Sequence, residues 1–185
     1  MKLNTITICQ AAVIAAIYVV LGILFMPISF GPIQCRISEM LTVLPAFFPA
    51  AIPGVTIGCL ITNIIGGAVI PDVVFGTLAT FIGAVLTYRL TRDEFTYAVS
   101  SSAENINLGL KFRLLASLPP VISNSIIVPF VLKYAYGLKD AIYFMAFTVG
   151  IGEIIGVVIL GGILLTILSR GPVFAQLRKT GIAVN

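Results

Sequence analysis

The 185-residue chain has no histidine and no tryptophan, and only 10% of its residues are charged. Without histidine there can be no Ser/His/Asp triad, no imidazole acid–base catalysis and no His-ligated metal. The three cysteines, Cys9, Cys35 and Cys59, are odd in number, far apart and outside any CxxC pair, which makes neither a disulfide framework nor a zinc site. No Gly-Lys-Ser/Thr phosphate loop occurs, so this chain has no ATP-binding motif of that kind. The scarcity of charge excludes a soluble domain, which carries roughly 25% charged residues. An enzyme is therefore not expected, nor a cofactor or metal bound by this chain.

What is present is apolar: 59% of the residues are hydrophobic, in runs close to the roughly 20 residues that cross a bilayer. The expected fold is an all-α integral membrane bundle, one domain over residues 1–185. Six transmembrane helices are expected at about 5–26, 38–51, 53–70, 73–90, 112–136 and 141–168. The first run is too long for the apolar core of a cleavable signal, and more apolar segments follow it. Between Ile37 and Ile70, Pro45, Pro49 and Pro53 cannot share one helix, because each removes a hydrogen bond and clashes with the preceding turn. Two short helices joined near 49–53 are expected instead. Residues 91–111, with Arg92, Asp93, Glu94, Ser100 to Ser102 and Glu104, form the one extended polar segment.

Six spans put both termini on one side. That side then holds Lys2, Arg89, Arg92, Lys111, Arg113, Arg170, Arg178 and Lys179, and the other holds Arg36, Lys133 and Lys139. Eight against three places both termini in the cytoplasm by the positive-inside rule. The basic balance is thus a topology signal, with the lipid bilayer as partner and no nucleic acid.

Inside hydrocarbon an ionisable side chain costs roughly 2.5–3.5 kcal/mol on insertion scales, so each one needs a reason. Glu153, in Gly150-Ile151-Gly152-Glu153, has no cation within one helical turn, and Gly150 leaves room beside it. It reads as a ligand acceptor or counter-ion, or as a protonated acid bonded to a neighbouring helix. Glu39 and Arg36 are spaced for an (i, i+3) pair at a helix start with Ser38 as cap, and are equally open to a ligand role. Gln34 lies in the same outer loop. Asn63 and Asn124 sit in apolar helices, as interhelical glue or as readers of a ligand edge. Glu39, Asn63, Asn124 and Glu153 come from four helices, and their convergence points to a pocket. Asp72, beside Pro71, reads as a turn residue.

Small residues recur every fourth position: Gly54, Gly58, Thr62 and Gly66; Ala11/Ala15 and Ala12/Ala16; Gly152 and Gly156. Such stripes serve internal helix packing or docking of another membrane protein.

The run Ile33-Gln34-Cys35-Arg36-Ile37-Ser38-Glu39-Met40-Leu41 resembles the Gln-x-Arg-Ile-Ser-Glu-Ala-Leu signature of the QueT family. Pro49 to Asn63 and Gly152-Glu153 extend the likeness. The QueT family belongs to the substrate-binding S components of energy-coupling factor (ECF) transporters, so the resemblance implies an S-component-like bundle in a bacterial plasma membrane. It implies uptake of a queuosine precursor, a 7-deazaguanine such as preQ1 or queuine. It also implies an ECF module as partner: a transmembrane T subunit and two ATPase subunits that use ATP. Under that resemblance Glu153 takes the guanine N–H donors, and Glu39 takes the aminomethyl group or pairs with Arg36, the two roles being exchangeable. Asn63, Asn124 and Gln34 complete the ring edges, with Phe30 and Tyr143 stacking and Gly150 giving space. Ala11, Ala12, Ala15 and Ala16 become the docking surface for the T subunit. An S component for another vitamin-like ring, or a stand-alone proton-coupled carrier, are the alternative readings.

Overall fold

The computed structural model describes residues 5–29, 36–100 and 109–170. Among them every regular element is helical. Helix α1 spans Thr5–Leu24 and α2 Met26–Ser29; a 3₁₀ helix follows at Ile37–Ala46; then come α3 (Ala51–Ile65), α4 (Ile70–Ser100) and α5 (Leu110–Tyr134). The last helix is α6 (Ile142–Glu153), a π-helical segment (Ile154–Leu160) and α7 (Gly161–Ser169), continuous in direction.

Among the described residues, four helices are long and apolar enough to cross a membrane: Thr5–Leu24, Ile70–Thr96, Leu110–Tyr134 and Ile142–Ser169. Their outward sides carry Ile6, Val13, Val20, Val74, Phe147 and Ile159, each about half or more exposed. Apolar side chains in that number suit hydrocarbon, not water.

The second and third expected spans differ from the sequence reading. Residues 37–46 form a 3₁₀ helix, whose rise of about 2.0 Å per residue reaches only about 20 Å. Helix α3 has 15 residues, about 22 Å at 1.5 Å each, and both fall short of the roughly 30 Å hydrocarbon core. The prolines explain the break: Pro45 lies inside the 3₁₀ helix, and Phe47 N–H bonds to Leu44 at 2.9 Å, an i to i−3 closure. Pro53 is tolerated in the first turn of α3, where N–H groups lack helical partners anyway.

The 3₁₀ helix is the axis of the molecule. Eight of its residues, from Ser38 to Ala46, are buried, and it touches α1, α3, α4, α5, the π segment and α7. Its C-terminal half feeds an apolar core: Phe47 packs edge-on against Phe95 at 5.3 Å and against Phe112 at 6.0 Å, with Val43 and Leu165 beside them. Its N-terminal half carries Arg36, Ser38 and Glu39 into the polar centre.

Helix α1 lies on α3 through the small residues. A Cβ on Gly54 would meet the Ala11 carbonyl at 2.9 Å, and one on Gly58 would meet Tyr18 Cβ at 2.7 Å and the Ala15 carbonyl at 3.2 Å. The α3 stripe is therefore internal packing. Helix α4 runs ten residues past Leu90, where the sequence reading ended it. Arg92 stays in the helix by bonding to Tyr88 Oη at 2.8 Å, and Glu94 pairs with Lys111 at the start of α5. Helix α5 keeps its course through Pro119, Pro120 and Pro129. Pro120 has no N–H for the Ala116 carbonyl, and the Thr87 hydroxyl of α4 donates to that carbonyl at 3.0 Å instead. Refilling a freed carbonyl from a neighbouring helix is how membrane helices accommodate proline.

Candidate functional site

A polar cluster occupies the middle of this bundle. Glu39, at 0% exposure, accepts a 2.6 Å hydrogen bond from Tyr18 Oη of α1 and a 3.1 Å bond from Thr80 Oγ1 of α4, both on Oε1. Its Oε2 is buried without a partner. Thr42 caps the Glu39 carbonyl at 2.6 Å, which holds the first 3₁₀ turn. Thr80 also reaches Cys59 Sγ at 3.3 Å, and Asn63 Nδ2 donates to the same sulfur at 3.5 Å. Helices α1, α3 and α4 are thereby tied to the 3₁₀ helix around one carboxylate.

The last helix brings the second acid. Glu153, at 3% exposure, is the final residue of α6, immediately before the π segment. Its Oε2 is buried without a partner, and Asn124 of α5 stands beside it, with Glu39 and Arg36 close by. A Cβ at Gly156 would lie 2.9 Å from the Arg36 carbonyl and 3.9 Å from Glu39 Cβ, so only glycine lets this helix come so near. Single-turn π insertions recur at functional sites because they re-aim side chains without ending the helix. Gly150 faces Ser125 Oγ, 3.2 Å from where its Cβ would be.

A third group lies across the cluster. Arg36, 8% exposed, and Asp72, 2% exposed, approach to 3.7 Å between Nη2 and Oδ2. Tyr136, just past α5, donates to the same Oδ2 at 2.9 Å. Burial, and then the adjacent Asp72 charge, hold the Tyr136 phenol above its ordinary range. Asp72, expected in a turn, is instead buried in the first turn of α4, where a carboxylate also suits the helix N-terminus.

Of the residues singled out from sequence, Glu39, Asn63, Asn124, Glu153 and Arg36 are all buried at this centre, whereas the neighbour that Gly150 faces is Ser125. Tyr143 is 81% exposed and is not brought to the cluster. Gln34 and Phe30 lie outside the described residues. Sequence reading missed Tyr18, Cys59, Asp72, Gly76 and Thr80. The signal for three of them was there, since Asp72, Gly76 and Thr80 repeat every fourth position along one side of an otherwise apolar helix. A separate outward groove between α4 and α5, lined by Phe75, Ile126, Phe130 and Tyr134, is almost wholly apolar and holds no charged group.

The two Ala-x-x-x-Ala pairs part company. Ala15 is buried and Ala11 half-buried on the α3 side, whereas Ala12 and Ala16 are exposed.

Buried carboxylates, each with one oxygen that meets no hydrogen-bond partner, thus stand at the centre of a bundle whose long apolar helices suit a membrane. The pattern of the QueT transporter family matches residues 8–170, and the chain belongs to that family of transporters. A curated relative, the queuosine precursor transporter QueT of Lactococcus lactis subsp. cremoris (strain MG1363), is 33% identical over 134 residues, covering 64% of this chain and 79% of the relative. No solved structure gives a significant match.

Proposed function

We propose that this chain is the substrate-binding S component of an ECF transporter in a bacterial plasma membrane, and that its substrate is a queuosine precursor. One observation carries the reading: Glu39 and Glu153 each present an unpaired, fully buried oxygen in one polar centre. Leaving such groups unmet costs about 1–3 kcal/mol each, more when charged, and a ligand rich in N–H donors meets that need. A 7-deazaguanine supplies N1–H, a 2-amino group and, in preQ1, an aminomethyl cation. Asn63, Asn124 and Arg36 add the complementary donors. Family membership and the substrate named for the Lactococcus relative support the same ligand class.

Energy comes from the partners, a transmembrane T subunit and two ATPase subunits. The exposed Ala12/Ala16 face of α1 supports docking of the T subunit, since small residues allow close approach of another helix. Ala11 and Ala15 serve the contact with α3.

The deciding experiment is a titration of the purified protein with preQ1, preQ0, queuine and queuosine in the absence of ATP. Binding at micromolar concentrations or below is expected, and Glu153→Gln is expected to abolish it. Unaltered affinity in that variant refutes the site. Competition by pterin, flavin or thiamine against preQ1 would move the assignment to another ring ligand. The buried acids also suit a proton-coupled carrier, for which the isolated protein in liposomes would take up substrate under a pH gradient.

A further inference from the structure

The floor of the third group is Gly76. A Cβ placed there would lie 3.1 Å from Asp72 Oδ1, 3.3 Å from Asn63 Nδ2 and 3.8 Å from Arg36 Nη1. Three polar atoms, from Asp72, Asn63 and Arg36, thus converge beside a position of this α4 face that carries no side chain. Asp72 spends Oδ2 on Tyr136 and Arg36, while Oδ1 is buried without a partner. Asn63 uses one amide N–H on Cys59 Sγ and has a second to give. An acceptor therefore stands next to donors beside Gly76.

We propose that Asp72, Asn63 and Arg36, arranged over Gly76, form a subsite for the cyclic lactam edge of the ligand, a ring C=O adjacent to a ring N–H. The carbonyl accepts from Asn63 and Arg36, and the ring N–H donates to Asp72 Oδ1. In a 7-deazaguanine this edge is O6 with N1–H, which leaves the exocyclic amines to Glu39 and Glu153. An amidine edge, with an amino group beside a bare ring nitrogen, reverses both partners: donor meets donor and acceptor meets carboxylate. A buried site built for one pattern rejects the other strongly, because its own groups are then left unpaired. A methyl at Gly76 would press on Asp72 Oδ1 and Asn63 Nδ2 more tightly than ordinary van der Waals contact, so these two groups would have to shift by a few tenths of an ångström from the positions that read the ligand edge.

The subsite rests on the assignment of a 7-deazaguanine as substrate, and the test separates the two. The purified full chain is titrated with preQ1 and with its 6-amino counterpart, in which the amidine replaces the lactam. Wild type is expected to prefer the lactam by at least about 100-fold. Gly76→Ala, which displaces Asp72 and Asn63, is expected to lose about tenfold or more in preQ1 affinity. Asp72→Asn, whose amide offers both a donor and an acceptor, is expected to shrink the lactam preference by about tenfold. Equal wild-type affinity for the two edges overturns the subsite without needing any variant to fold. So does a Gly76→Ala protein that binds as wild type, or an Asp72→Asn protein that weakens both ligands equally, as a purely structural role would. If wild type binds preQ1 but shows no preference, the transport assignment stands and the subsite falls; if it binds neither, both fall.

Discussion

Tyr18 shows what a single hydroxyl does in a site without water to spare. Its Oη donates to Glu39 at 2.6 Å from a helix that otherwise presents mostly aliphatic groups to lipid. Removing that donor in Tyr18→Phe leaves the Glu39 carboxylate with the Thr80 bond alone on Oε1. The expected cost is about 1–3 kcal/mol of stability, the range for orphaning a buried polar group, read as a lower unfolding temperature in detergent. Aliphatic substitutions at the exposed Val13 of the same helix are expected to be neutral by comparison, within about 0.5 kcal/mol. Glu39 itself was recognisable from sequence as an acid at a helix start. That its carboxylate would bond to a residue 21 positions earlier was not, because no spacing rule relates two helices before they pack.

At the scale of elements, the prolines are the most instructive feature. Three of them in residues 45–53 correctly forbade a single long helix, yet the product is a short 3₁₀ axis rather than a second regular span. Helix propensity is local, whereas this segment is shaped by being surrounded on every side, and a 3₁₀ helix is the slimmer rod. In α5 the opposite holds: Pro119 and Pro120 leave the helix intact because α4 supplies Thr87 to the orphaned Ala116 carbonyl. Thr87→Val keeps the shape and removes the donor, so a loss of about 1–3 kcal/mol is expected. Thr87→Ser, which retains the hydroxyl, is expected to recover most of it. Thermal unfolding of the two variants side by side checks this. The π segment after Glu153 could not be read from Ile154 to Leu160, an aliphatic run with one glycine. It becomes intelligible once Gly156 is seen pressed against the Arg36 carbonyl.

Across the whole molecule, the small-residue stripes divide between holding the bundle together and facing outward. The Ala11/Ala15 side of α1 is taken by Gly54 and Gly58, which leaves Ala12 and Ala16 at the surface. Under the proposed S-component role, Ala16→Trp is expected to leave preQ1 binding by the isolated protein unchanged. Uptake by cells that express the partner subunits is expected to fall at least about tenfold, because a bulky side chain blocks small-residue helix contact. Ala15→Trp, on the packed side, is expected to lower stability first, since overpacking costs typically about 1–3 kcal/mol. Comparing ligand binding, uptake and unfolding temperature in the two variants separates a docking face from a packing face.

Composition and the length of the apolar runs together determined that this is a helical membrane protein: 59% hydrophobic and 10% charged residues suit hydrocarbon, and runs near 20 residues suit helices that cross it. The intramembrane polar residues could also be picked out along the chain, because each one is costly in hydrocarbon and stands out against its neighbours. Which of them meet was decided by the tertiary structure. Glycines at 54, 58 and 156 let backbones approach closely enough for acids 114 positions apart to share one centre. The packing of the helices also made Asp72, an apparent turn residue, a buried carboxylate beside Arg36, and placed Tyr143 outside, 81% exposed. Burial cost is a property of one residue and can be read along a chain; the pairing that offsets it belongs to the space between helices.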